Sequence, residues 1–229
     1  MKQQYVEHRA RGAYIASIAS NMPNTTFLLP ISTRNPRQKR SKSSNGGLTD
    51  VATAKIFVFV DGSLANNTDL SSQLGFIITL ANEAPADGQF TLTGSIVHYS
   101  STKSKRVTRS VLASEIYGMV AGVDLPYALA TTLHTITDRL GLPTAVCTDS
   151  YSLYECLVKL GTTKEKRLMI DIMALRQSYE RRELQEIRWI NGEDNQADAL
   201  TKANPNRALE RLVDNNVMTV RMEGWVTRD

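Results

Sequence analysis

Five consecutive apolar residues, Ile56-Phe-Val-Phe-Val60, run directly into Asp61-Gly-Ser. An apolar side chain at every position, rather than at every second one, needs protein on both faces, so this run predicts an inner strand. Ile56, Val58 and Val60 would face one layer and Phe57 and Phe59 the other. Leu74–Leu80 and Phe90–Tyr99 supply two further β-rich segments before any helical pattern begins, which predicts an antiparallel meander of three strands. Helical spacing then marks Arg109–Ala130, Ser150–Leu160 and Lys164–Arg182, the last through Leu168, Ile172, Leu175 and Tyr179. Pro126 is expected to kink or end the first of these helices. Ala145–Thr148 and Leu184–Ile190 add two strands. The expected fold class is therefore α/β, a five-stranded mixed sheet with antiparallel strands first, parallel strands after, and helices packed on it.

Four carboxylates stand where these elements end or begin. Asp61 and Asp149 follow apolar runs; Asp198 opens a helix in Asn195-Gln-Ala-Asp198-Ala-Leu-Thr-Lys202; Glu115 lies in Val111-Leu-Ala-Ser-Glu115-Ile-Tyr-Gly-Met119. Glu115 sits at the edge of an apolar stripe made by Leu112, Ile116, Met119, Val120 and Val123, where an unpartnered carboxylate is costly. Strand ends and helix starts are where an α/β sheet presents chemistry, so the four suggest one converging acidic site. Four ionised groups at roughly 6 Å and an effective dielectric of about 20 would repel by on the order of 15 kcal/mol in total. Hard divalent cations relieve such repulsion, and oxygen-only ligands point to Mg²⁺ or Mn²⁺ rather than zinc. Two such ions about 4 Å apart serve phosphodiester hydrolysis, one activating water and one steadying the leaving oxygen. Each carboxylate also has an ordinary structural reading: Asp61-Gly62 as a turn, Asp149 as a helix N-cap, Asp198 with Asn195 as a weak capping box.

From about Ala52 to Lys202 the chain resembles the ribonuclease H domain of Ty1/copia-like retrotransposon polyproteins, fungal ones in particular. The resemblance is carried by Phe57-Val-Phe-Val-Asp61-Gly-Ser with Ser71-Ser-Gln-Leu-Gly-Phe76, by His98-Tyr-Ser-Ser-Thr-Lys-Ser-Lys-Arg-Val-Thr-Arg-Ser-Val-Leu-Ala-Ser-Glu115, by Cys147-Thr-Asp149-Ser-Tyr-Ser-Leu, by Lys166-Arg-Leu-Met-Ile-Asp-Ile172, and by Asn195–Lys202. It implies a ribonuclease H-like fold that cleaves the RNA strand of an RNA/DNA hybrid. It also implies that Asp61, Glu115, Asp149 and Asp198 bind two Mg²⁺ ions, with Mn²⁺ as an alternative. Ser150 and the basic run Lys103, Lys105, Arg106 and Arg109 would hold the substrate backbone near the metals. In one respect the chain departs from the superfamily, whose members often carry a histidine in the loop before the last Asp. Here that loop reads Trp189-Ile-Asn-Gly-Glu-Asp-Asn-Gln-Ala-Asp198, and the histidines are His8, His98 and His134. Asn191 or Glu193 is the substitute in reach, and lower turnover is expected. The alternative function is a weak or inactive relic that binds nucleic acid or protein.

The net charge of +4 is unevenly distributed: residues 1–50 hold eight Lys or Arg against Glu7 and Asp50, or +6, leaving −2 for the rest. Residues 1–33, with Tyr5–Ser17, resemble the tail of a reverse transcriptase, the partner expected to be missing; no Asp-Asp pair is present, so the polymerase's paired aspartates are absent. Residues 34–50, rich in Arg, Lys, Ser, Asn and Gly, read as a flexible basic linker, including Arg37–Lys42. Residues 51–203 are the expected ribonuclease H-like domain and 204–229 an extension with a short helix at Ala208–Val213 and a strand-like tail. A second basic cluster, Lys164, Lys166, Arg167, Arg176, Arg181 and Arg182, is interspersed with Glu165, Asp171, Glu180 and Glu183 and reads as an exposed helical face. Cys147 and Cys156 have no metal-binding spacing and fit a reduced core. No secretory segment or membrane-length apolar run is apparent, so an intracellular protein, cytoplasmic or nuclear, is expected.

Overall fold

The computed structural model describes residues 49–50, 52–137, 142–158, 163 and 165–227. The reverse-transcriptase-like residues 1–33, nearly all of the basic segment 34–50, His8 and Lys164 lie outside the described residues.

The inner strand is β1, Ala54–Ser63. It pairs antiparallel with β2, Gln73–Ala86, which pairs antiparallel with β3, Gln89–Lys103. The long helix α1, Val111–Thr137, returns the chain to β4, Thr144–Thr148, which lies parallel to β1. Then come α2, Tyr151–Val158, a 3-10 turn at Lys166–Leu168, α3, Met169–Glu180, and β5, Glu186–Ile190, parallel to β4. The order β3-β2-β1-β4-β5, antiparallel on one side of β1 and parallel on the other, is the ribonuclease H-like arrangement that the resemblance implied.

A sixth strand corrects the expected count of five. After the short α4, Asp198–Thr201, helix α5, Ala208–Asn215, leads into β6, Val217–Thr227. Asn216 joins them in the left-handed region at φ 53°, its N–H bonded to the Leu212 carbonyl at 2.8 Å, a helix-ending geometry that Asn tolerates. The first half of β6 pairs with β3, Val217–Arg221 against Gln89–Thr93, and the second half pairs with β5. The sheet closes as β1-β2-β3-β6-β5-β4, which covers edge-strand hydrogen-bonding groups that would otherwise be open to another chain. Residues read as an extension thus belong to the same sheet as the rest.

The continuous apolar run of β1 is explained by a core on each face. Ile56, Val58 and Val60 pack with Ile116, Met119, Leu153, Leu168, Ile172 and Leu175. Phe57 and Phe59 lie on the other side, among Phe90, Leu92, Leu209, Leu212 and Val220. Cys147 and Cys156 are buried and free.

Two features of helix α1 bear on what was expected of it. Of the two outcomes expected at Pro126, a kink or an end, the helix does not end there: Leu129 and Ala130 beyond the proline still pack against the core, Leu133 is buried, and this offsets one missing backbone hydrogen bond. Its segment Val111–Leu133 is also long and apolar enough to cross a membrane, where no such run was apparent in the sequence. Ala113, Ile116, Met119 and Val123 bury part of that apolarity against the protein's own sheet.

Candidate metal centre

The ends of β1 and β4 are neighbours because the strands run parallel with Val60 opposite Thr148. One residue further, each reaches a carboxylate, Asp61 and Asp149. Glu115 arrives from the start of α1, and its approach depends on small residues. A Cβ on Gly62 would lie 2.3 Å from the Ser114 carbonyl oxygen, and one on Gly118 would lie 2.9 Å from that of Asp61. The Ser114 hydroxyl donates to the Gly62 carbonyl at 3.1 Å, so the first turns of α1 are pressed onto the end of β1. One carboxylate oxygen from each of Asp61, Glu115 and Asp149 then falls within 4.8 Å of the other two.

Asp198 is beside this group but not part of it. Its carboxylate is taken by the Lys202 ammonium and by the Asn206 N–H, the latter at 2.7 Å. Asp149 is free of the capping role, which Ser150 takes by accepting from the Leu153 N–H at 3.4 Å at the start of α2. That places Ser150 next to the cluster as a helix cap.

The site is short of positive charge. Burial and the nearby Asp149 charge push Asp61 up to about 6, against the hydrogen bond from Thr201 and the Lys202 charge. Glu115 is held well above the usual carboxylate range by burial, then by Asp61 and Asp149. Asp149 is also raised by burial, with Lys202 and the Asn195 hydrogen bond opposing. Burial works against the Lys202 charge, yet the carboxylates of Asp198, Asp61 and Asp149 more than compensate and raise its pKa. Glu115 Oε2 is buried and finds no hydrogen-bond partner among the described residues. Converging buried carboxylates with an orphaned oxygen fit a hard divalent cation, which needs oxygen ligands and supplies the missing charge. Asp61, Glu115 and Asp149 are the residues that would hold it.

The raised pKa of Asp61 has a consequence for stability without metal. Between the ordinary 3.8 and about 6 the folded chain keeps a proton that the unfolded chain has lost, so stability falls as pH rises through that window. The displacement corresponds to about 3 kcal/mol. Metal-free Asp61→Asn should match wild type near pH 3.5 and exceed it by about that amount at pH 7.5, measured as the difference between their urea midpoints across pH. A difference that is constant with pH would contradict the placement of this charge.

The basic residues divide into two groups. Lys103 pairs with Asp69 at 3.0 Å, and Arg106 takes both oxygens of Asp171 at 2.9 and 2.8 Å with its guanidinium 4.9 Å from the Tyr117 ring centre. Lys105 is exposed. Arg109 lines an open concavity of about 470 Å³ with Glu165, Lys166 and Arg167. Lys166 and Arg167 are exposed, as the sequence led one to expect, and the 3-10 turn before α3 also brings them to Arg109, six residues from Glu115 in sequence. Glu165 offsets part of this charge by accepting from the Ser110 hydroxyl and from Arg167 Nη2, the latter at 2.8 Å.

The loop that lacks a histidine is tied down. Asn191 accepts from the Glu193 N–H at 3.1 Å and donates to Glu223 at 3.2 Å, and Glu193 pairs with Arg221 at 2.9 Å. Gly192 passes close to the site, where a Cβ would sit 3.2 Å from Asp149 Oδ2. Three residues to which the sequence assigned no role act here, Thr201, Lys202 and Asn206, together with Asn195, which it read only as part of a weak capping box. Asn195 is fully buried and donates to Asp149 Oδ1 at 3.1 Å and to the Val60 carbonyl at 2.9 Å. The Thr201 hydroxyl donates to Asp61. Lys202 was findable from its spacing, since four residues after Asp198 on a helix puts the two side chains together. Asn206 carried no such signal, because its contacts are made by chain folding back.

No protein-family model and no curated protein matches the chain. Among solved structures, it is similar to the N-terminal RNase H domain of a Mycobacterium tuberculosis protein, solved as a fusion with maltose-binding protein, at 20% identity over 70% of this chain and 97% of that one, with a TM-score of 0.46. It is similar to LC11-RNase H1, solved in complex with an RNA/DNA hybrid, at 18% identity over 68% of this chain and 99% of that one, TM-score 0.44. The RNase H domain of prototype foamy virus matches at 16% identity over 56% of this chain and 74% of that one, TM-score 0.33.

Proposed function

We propose that the chain is a metal-dependent ribonuclease H that hydrolyses the RNA strand of RNA/DNA hybrids, from a Ty1/copia-like, fungal retrotransposon polyprotein. The observation that carries this reading is the convergence of Asp61, Glu115 and Asp149 around an orphaned Glu115 oxygen at the carboxyl ends of β1 and β4. Asp61, Glu115 and Asp149 would hold a divalent cation there, Mg²⁺ or Mn²⁺, which would supply Lewis acidity at the scissile phosphate and a lowered pKa for the attacking water. Asp198, now paired with Lys202, would be the further carboxylate available to a second ion, and the Lys202 ammonium would place a positive charge near a bound phosphate. Arg109, Lys166 and Arg167 would cradle the backbone of one strand, and Ser150 with the start of α2 would contact the other. A hybrid is told from duplex DNA by its 2′-hydroxyls and A-like minor groove. A reverse transcriptase partner and an intracellular setting belong to the same reading.

The test is incubation with a labelled RNA/DNA hybrid in Mg²⁺ or Mn²⁺, beside duplex RNA and duplex DNA and an Asp149→Asn control. The expected result is cleavage of the RNA strand of the hybrid alone, lost in the variant. Intact hybrid with folded protein under both metals would favour the non-catalytic binding relic.

A further inference from the structure

We propose that α5 and β6 are a positioning device for the carboxylate cluster, with Arg221 as its main fastening. This rests on the reading of the cluster as a divalent-cation site. Asp194 is almost completely buried in the loop between β5 and α4, and burial, which raises its pKa, is outweighed by its hydrogen bonds from Arg221, which lower it. Its partners come from the last two elements: Arg221 donates to it through its backbone N–H at 3.0 Å and Nε at 2.7 Å, and Arg211 reaches it at 3.4 Å. Arg211 also donates to the Glu193 carbonyl at 2.9 Å, and the Arg221 carbonyl accepts from the Asn191 N–H at 3.0 Å. Asn206, just before α5, donates through its side chain to the carbonyls of Gly192 at 2.7 Å and Asn195 at 3.0 Å, while its backbone N–H holds Asp198.

The fastened loop connects directly to the cluster. Asn195, next to Asp194, donates from one side-chain nitrogen both to Asp149 and to the Val60 carbonyl at the end of β1. Two of the four acidic residues are thus oriented by groups that the C-terminal segment holds in place: Asp149 through Asn195, and Asp198 through Asn206. The fold gives this segment the rigidity the role needs, since β6 is hydrogen-bonded to β3 on one side and β5 on the other. Partners that orient metal-binding side chains typically change metal affinity by about 10- to 100-fold when removed. Arg221 and Asn206 are positioning residues in this sense, because they act through Asn195, Asp149 and Asp198.

The test is calorimetric Mn²⁺ affinity of the full chain and of Arg221→Ala, Asn206→Ala and Arg221→Lys, with hybrid KM measured in parallel and folding checked by circular dichroism. Arg188→Ala serves as a destabilised control, because Arg188 binds Glu83 and Glu186, not the loop. The expected result is Mn²⁺ binding weaker by roughly tenfold in Arg221→Ala and Asn206→Ala, partial recovery in Arg221→Lys, wild-type affinity in Arg188→Ala, and hybrid KM unchanged at saturating metal. If Arg221→Ala does not fold, Asn206→Ala decides. Wild-type Mn²⁺ affinity in the folded variants, or an equal loss in Arg188→Ala, would overturn the positioning role. Absence of Mn²⁺ binding to wild type would overturn the metal reading itself, and the proposal with it.

Discussion

Glu115→Gln is expected to lower hybrid cleavage by about a thousandfold, about 4 kcal/mol of barrier, and at the same time to raise the melting temperature of the metal-free protein at pH 7.5. The two effects have one cause. Glu115 is 6% exposed, its Oε2 has no hydrogen-bond partner among the described residues, and its ionised form is opposed by burial and by Asp61 and Asp149. Glutamine keeps the shape and removes the charge, so the metal-free chain loses repulsion while a cation loses a ligand. An ordinary structural carboxylate would behave oppositely, because losing a hydrogen-bonded charge destabilises a fold. The measurements are single-turnover cleavage and thermal melts with and without Mn²⁺. A melting temperature that falls in the metal-free variant would show that Glu115 supports the fold rather than a cation.

Arg188→Ala should cost about 3–5 kcal/mol of stability, enough to lower the melting temperature by on the order of 10 °C in a domain of this size. Its guanidinium donates to Glu83 at 2.6 Å and, through Nε, to Glu186 at 2.9 Å, and it lies 4.4 Å from the Phe90 ring centre and 5.5 Å from that of Phe57. Lys55 joins the same carboxylates at 2.8 Å each. Removing the arginine leaves two nearly buried carboxylates with one lysine and uncovers two stacked rings whose centres are 5.8 Å apart. Lys55 lies six residues before Asp61 on β1, about 20 Å along the strand, and the Arg188 side chain is turned to Glu83, Glu186 and the two rings rather than to the acidic site, so cleavage by the folded variant should be unchanged. Chemical denaturation measures the loss; a change under about 1 kcal/mol would mean that the pairs contribute no more than surface ones.

Much of the site was legible because its residues are tied to periodicity. The uninterrupted run Ile56–Val60 could only be an inner strand, and the residue that follows such a run lies at the sheet's carboxyl edge. Glu115 was legible as an acid on an apolar helical stripe, though not the glycines Gly62 and Gly118 that let α1 approach β1, since their need appears only when two backbones meet. The pairing of Lys202 with Asp198 was visible in their spacing but had no role without the surrounding carboxylates. The sixth strand was hidden for a different reason. Val217–Val226 has a strand-like composition, but which edges it would join depends on β3 and β5, far away in sequence. The same long-range closure hid the contacts of Arg221 with Asp194. Pro126 left the course of the helix open, because the propensity of one residue does not show the packing of Leu129 and Ala130 beyond it.

The convergence of Asp61, Glu115 and Asp149 on one divalent cation is tested most directly by calorimetric titration of the metal-free chain with Mn²⁺ at pH 6.5 in buffers of different ionisation enthalpy, beside Asp149→Asn. One saturable binding event that releases protons, because Asp61 and Glu115 hold them above the usual carboxylate range, and that disappears in the variant, is the expected result. No binding in wild type, or binding without proton release that Asp149→Asn leaves intact, would contradict it.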